Sequence, residues 1–187
     1  ANDFSNSSPT PLPNYTDFPN HMTDVPLIDA KEGYIYKVQN GFGSGNFGWL
    51  VWNTVISANA NTLADSLTWP GDSGDYTPGP GGIFTGYQEP GDPTDRELNI
   101  GDWVAGSTGS INSNGARTVF NGHITNKRQL RLIVWDTTNG QTGVNGWYKV
   151  KGFAIFRMLG YSLSQNQGSW ILAEFIRWDD SCGQTLP

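Results

Sequence analysis

The chain is poor in the side chains that most enzyme chemistry needs. Of its 187 residues, two are His and one is Cys. A single cysteine excludes an intrachain disulfide. Cys182 lies in a Gly-flanked tail, which is no place to hold a nucleophile rigid. It reads as an incidental small residue or as the thiol of a bridge between chains. His21 and His123 give too few nitrogen ligands for a transition-metal site. No Gly-x-Ser-x-Gly elbow is present. No catalytic residue and no cofactor is expected, and the chain reads as non-enzymatic.

Charge is also scarce. Charged residues make up 15% of the chain, against about 25% in an ordinary globular protein. Eleven basic residues face seventeen acidic ones, for a net charge of −6. The densest basic cluster is Lys127, Arg128 and Arg131. Nucleic acid and anionic membrane both need a basic face, so neither partner is expected. No apolar run approaches the roughly 18 residues of a membrane helix, so no membrane span is expected in this chain. There is no secretory leader, and the polar start at Ala1 suits the mature form of an exported protein. An extracellular or cell-surface location is the expectation.

Aromatic residues and glycine are plentiful. Aromatics make up 13% of the chain, with eight Trp, and Gly occurs 24 times. Many rings, many turns and few charges describe a loop-rich β protein with enough apolar area to fold.

Residues 1–30 read as an extended arm. Pro9, Pro11, Pro13, Pro19 and Pro26 forbid a helix there and favour extended chain. Tyr15, Phe18, Val25, Leu27 and Ile28 recur along it as apolar anchors. The sequons at Asn6 and Asn14 matter only in a host that glycosylates them. Residues 31–187 read as a single β domain.

Alternation carries that domain. In Gly33–Gln39, Tyr34, Tyr36 and Val38 oppose Ile35 and Lys37. The run 47–52 is nearly all apolar, as a buried strand would be. Leu63–Leu67 suits a brief helical turn, and 69–82 is loop. Residues 98–104 approach as a strand, turn at Gly101-Asp102 and continue through Trp103. A helix is predicted near 114–124, capped by Asn112, Ser113 or Asn114, with Ala116, Val119, Phe120 and Ile124 at helical spacing. Residues 129–136 alternate Leu130, Leu132 and Val134 against Gln129, Arg131 and Ile133. The run 147–163 is too long for one straight strand, so Gly152 or Gly160 should mark a bulge. Residues 169–179 should return beside it as a hairpin. Trp49, Trp52, Trp135 and Trp170 lie in apolar runs and are expected in the core. The predicted fold is all-β, an antiparallel sandwich or partly open barrel of roughly 8–12 strands, with at most one short helix.

Several short motifs, in order, carry a resemblance: 45–50 (GNFGWL), 63–68 (LADSLT), 100–104 (IGDWV), 134–136 (VWD), Tyr148 to Phe153, and Cys182-Gly183. In these the chain resembles an extracellular module of bacterial proteins related to the tight-adherence (Tad, or Flp) pilus assembly family, of the TadE/TadG-like kind, over residues 33–183. The resemblance implies a cell-surface protein associated with pili or adhesion, and it supplies no catalytic residues. Such proteins usually carry an N-terminal membrane helix, where this chain has its Asn/Pro arm.

Other sites have plainer readings. Glu32, Glu89, Glu97 and Glu174 read as solvated carboxylates on or near strands rather than a glycosidase pair. Asp72 with Asp75, and Asp92 with Asp95, read as turn residues bonding nearby backbone, with loop-bound calcium as the alternative. Trp69, Tyr76, Tyr87 and Trp147 offer a platform for sugar rings, or else they plug the ends of the fold.

Two functions follow as expectations. The first is a structural subunit of a surface filament, its arm adding as a strand to a copy of itself. The second is an adhesin that binds surface glycans through the loop aromatics.

Overall fold

The structure is a computed structural model, and it describes residues 30–39, 50–51, 64, 67–68, 98–106, 112–139, 147–163 and 169–181. The elements are β1 (Ile35–Gln39), β2 (Leu50–Val51), β3 (Trp103–Gly106), helix α1 (Asn114–Thr125), β4 (Gln129–Thr138), β5 (Trp147–Leu163) and β6 (Ser169–Trp178). They form a mostly antiparallel, six-stranded sheet that does not close, with a helix packed on it. The predicted all-β class is what the structure has. The roughly 8–12 strands predicted compare with six among the described residues.

β5 is the spine of the sheet. Along one side it pairs β4, from Gln129↔Arg157 to Thr138↔Tyr148. Along the other it pairs first β3, at Lys149 to Trp147, and then β6, from Ala154↔Trp178 to Leu163↔Ser169. β2 lies outside β3, and β1 outside β6. A straight ribbon of 17 residues could not serve two successive partners on one side. The register shifts at both expected places, where Val134/Trp135 meets Gly152/Val150 and between Met158 and Gly160. Each shift leaves one residue unopposed and bends the strand.

The register sorts side chains onto two faces. On one face, Tyr36, Val134, Ala154, Phe156, Ala173 and Phe175 form a buried cluster, with Trp178 against it. The Phe175 ring meets Phe156 and Trp178 edge-on, at 5.4 Å each. Further along this face Met158, Tyr161 and Leu163 receive Ala116 and Phe120 of α1. On the opposite face Val104, Val150 and Phe153 pack with Ile133, Leu98 and Ile100. Ile35, Ile155 and Leu172 of that face are buried too. This is why the apolar runs read from the sequence have few polar interruptions.

Helix α1 follows its local signals. The Ser113 hydroxyl accepts from the Ala116 N–H at 3.1 Å, which caps the first turn. Ala116, Phe120 and His123 recur at helical spacing and are buried, whereas Val119 is only half-buried. At the far end the Arg128 N–H donates to the His123 carbonyl, and the Lys127 N–H to that of Ile124. That is the Schellman pattern, with Lys127 at φ 52° where glycine is usual. Gly115 has a packing role: a Cβ there would stand 3.2 Å from the Ala64 Cβ. Ala64 is helical, as the turn predicted at 63–67 requires.

Three expectations need correction. Trp135, expected in the core, is 39% exposed and leans edge-on against Tyr148 at 4.9 Å. The bulge beside it and its place on an outer strand leave one side of the ring uncovered. Trp170, also expected in the core, is half-buried, with the Lys37 ammonium 5.0 Å from its ring centre. Glu174 is not a solvated strand carboxylate. Its side chain is 18% exposed and is held by Arg157 on the neighbouring strand.

Candidate functional site

The opposite face gathers the sheet's charge. Antiparallel register puts Gln129, Arg157, Glu174 and Ile35 in one row across β4, β5, β6 and β1. The next row is Arg131, Ile155 and Arg177. Arg157 Nε donates to Glu174 Oε2 at 2.9 Å, and Nη2 donates to the same oxygen. Asp179 ends β6 with its N–H on the Phe153 carbonyl, 2.9 Å away. Its side chain is fully enclosed and accepts from Arg131 Nε at 2.5 Å and from the Ser181 hydroxyl at 2.5 Å. Arg177 Nη1 stands 3.8 Å from the same carboxylate. The Ser181 hydroxyl first, then Arg131, hold the Asp179 carboxyl down to a pKa of about 2. The cluster ties β4 to the end of β6. Every acid in it accepts from a fixed cation, so it offers no general base.

His123 is the other buried titratable group on the helix side. Its Nε2 lies 2.8 Å from the Leu67 carbonyl and so carries the proton. Its Nδ1 is buried without a hydrogen-bond partner. Burial pushes the imidazole pKa below its usual 6.5. The ring braces α1 against the segment at Leu67. Among the described residues, no group of three His, Cys, Asp or Glu could hold a metal ion.

The margins of the sheet differ. On the β1 side, Gly33 N–H donates to the Phe175 carbonyl and Phe175 N–H to that of Tyr34. Alternation then turns the backbone of Ile35 outward, and Ile35 has a further partner beyond β6. On the β4 side the order ends. Because Asp179 bonds the Phe153 carbonyl, Phe153 turns its backbone groups to β6. Ala154 and Gly152 therefore turn theirs to β4, where they meet Leu132 and Val134. Arg131 and Ile133, between those positions, aim their N–H and C=O away from the sheet. Among the described residues no strand pairs with that margin. Gln129 and Arg131 are exposed, and Leu130, Leu132 and Ile133 are half-buried. Beyond Ile133 two register shifts twist the strand away, a usual guard against indiscriminate edge pairing.

Most residues singled out in the sequence lie outside the described set. These are Tyr15, Phe18, Val25, Leu27 and Ile28 of the arm, Trp69, Tyr76 and Tyr87 of the loops, the Asp72/Asp75 and Asp92/Asp95 pairs, Trp49, Trp52 and Cys182. Trp147 is placed: it opens β5, opposite Ala105, and is half-buried. The Asp179 cluster was missed in the sequence. Alternation set Arg131 opposite the Leu130 face, but nothing local ties it to a carboxylate 48 residues away. No helix among the described residues is long and apolar enough to cross a membrane. Compared with known proteins, the chain matches no family model, no curated protein and no solved structure.

Proposed function

We propose that the protein is a non-enzymatic structural subunit of an extracellular, cell-surface filament. In this reading the N-terminal arm of one copy adds as a strand to the sheet of the next. The observation that carries it is the β4 margin, where a run of backbone donors and acceptors borders half-buried leucines and no described strand pairs. An arm rich in proline and spaced apolar residues is a suitable donor, because extended chain loses little freedom on pairing. Contact between unlike surfaces of identical subunits need not close, and so gives a fibre rather than a ring. The ordered motifs that resemble Tad-type pilus proteins support the same reading.

Electron microscopy and solution sizing of the full chain at physiological salt test it. Regular fibres are expected, and they should disappear when residues 1–30 are removed. A clean monomer across concentration and salt would sink the proposal, as would fibres that survive the truncation.

A further inference from the structure

We infer that the acceptor for this assembly is the outer margin of β4 at Arg131–Ile133, and that the donor is residues 24–28 of a second copy. The inference rests on the filament reading and adds which edge is used, which segment fills it and in what register.

The backbone parity of β4 makes the first selection. Arg131 and Ile133 direct their N–H and C=O outward, and Leu130 and Leu132 direct theirs to β5. A donor strand needs two residues, two apart, with backbone N–H groups to match. In the donor, Asp24-Val25-Pro26-Leu27-Ile28, proline has no N–H. Val25 and Leu27 must therefore be the bonding pair, with Pro26 turned outward as on any edge strand. Antiparallel pairing then sets Leu27 against Arg131 and Val25 against Ile133. Pro26 falls opposite Leu132 and Ile28 opposite Leu130, and those two leucines are half-buried at the margin. Apolar side chains thus meet apolar neighbours on the helix face. On the other face Leu27 lies along the Arg131 stem, and Asp29 comes diagonal to its guanidinium, which is half-exposed.

Reach makes the second selection, between a copy's own β4 and its neighbour's. The Tyr34 N–H closes a turn onto the Lys31 carbonyl at 3.1 Å, holding Lys31 within about 7 Å of the start of β1. The three residues from Lys31 back to Ile28 span about 10 Å at most. The slot outside β4 lies four strand spacings from β1, about 19 Å. The segment is too short to lie along its own β4, so the acceptor belongs to another molecule. Donor and acceptor leave opposite margins of the run β1-β6-β5-β4, which makes the contact head-to-tail.

The test uses the full chain. Ile133→Pro removes an outward N–H and no bond to β5; Gln129→Pro does the same at the first strand position, where packing is lightest. Lys37→Pro is the matching change on the β1 margin. The expected result is fibres from the wild type and from Lys37→Pro, and folded monomers from Ile133→Pro. Gln129→Pro should lengthen the lag before fibres form. If Ile133→Pro fails to fold, amide exchange on the wild type decides. In fibres the Arg131 and Ile133 amides, and those of Val25 and Leu27, should exchange at least about 10-fold more slowly than in dilute monomer. Fibres whose Arg131 and Ile133 amides exchange as in the monomer would overturn the edge assignment while leaving the filament reading intact. Protection at β4 without protection at Val25 and Leu27 would overturn the donor. Protection of both in dilute monomer would overturn the second-copy assignment. Absence of fibres under every condition would overturn the filament reading itself.

Discussion

β4 and β6 are matched strands with different fates. Each has ten residues, and each pairs antiparallel with β5, on opposite sides. Both sequences mix Leu, Ile and Trp with one or two charges. Yet β6 is largely buried, while β4 is exposed at both ends, with only Val134 buried. The difference is the next neighbour. β6 has β1 on its far side and β4 has no described strand there. An apolar, alternating sequence thus specifies a strand and its faces, and the count of flanking strands specifies its burial.

The sharpest way to break the comparison is to delete a ring from each strand. Phe175→Ala in β6 removes a side chain that is 1% exposed and touches two other rings. It should cost about 3–5 kcal/mol in urea unfolding, as deletion of a buried ring does. Trp135→Ala in β4, though it removes a larger ring, should cost only about 1 kcal/mol, mainly its contact with Tyr148. Equal losses would mean that β4 is as enclosed as β6.

The acid that joins the two strands gives the next effect. Asp179 has a depressed pKa, so its contribution is present above the unfolded carboxyl value and is lost as pH falls through about 2. Asp179→Asn should lower stability at pH 7 by less than about 2 kcal/mol, because solvent screens the half-exposed Arg131. The variant should also flatten the acid limb of a stability–pH curve below pH 4. His123 acts at milder pH with a different sign. Its folded pKa lies below its ordinary 6.5, so the unfolded chain takes up the proton first and stability falls as pH drops through that value. Thermal melts between pH 7.5 and 5 should show that slope, and His123→Gln should remove it.

The smallest effect sharpens the link between α1 and β4. Lys127 sits at φ 52° in the turn that launches β4. Lys127→Gly should relieve strain of about 1 kcal/mol, offset by the entropy of glycine in the unfolded chain. A gain of a few tenths of a kcal/mol in chemical denaturation is the expected net change.

Much of this arrangement is legible in the sequence. The Ser113 cap and the spacing of Ala116, Phe120 and Ile124 place α1 within a residue of its observed end. Gly152 and Gly160 mark where the long run 147–163 must bend, and both shifts occur beside them. Trp135 shows where such reading stops. Its neighbours in the chain are those of a core residue, and its exposure follows from lying on an outer strand past a bulge. The candidate edge was legible only as a need: an open β fold has margins, but composition does not say which strand ends the sheet.

By itself, then, the sequence determined the class of the fold, the helix, the central hairpin and the distinct character of the arm. Each of these depends on residues within a turn or a strand length of one another, where spacing alone sets which side chains share a face. The tertiary structure alone decided that β3 and β6 share one side of β5, that Asp179 closes on Arg131, and that Arg131 and Ile133 face outward. Those outcomes turn on pairings between distant segments, and the backbone groups that make them are the same in every residue but proline.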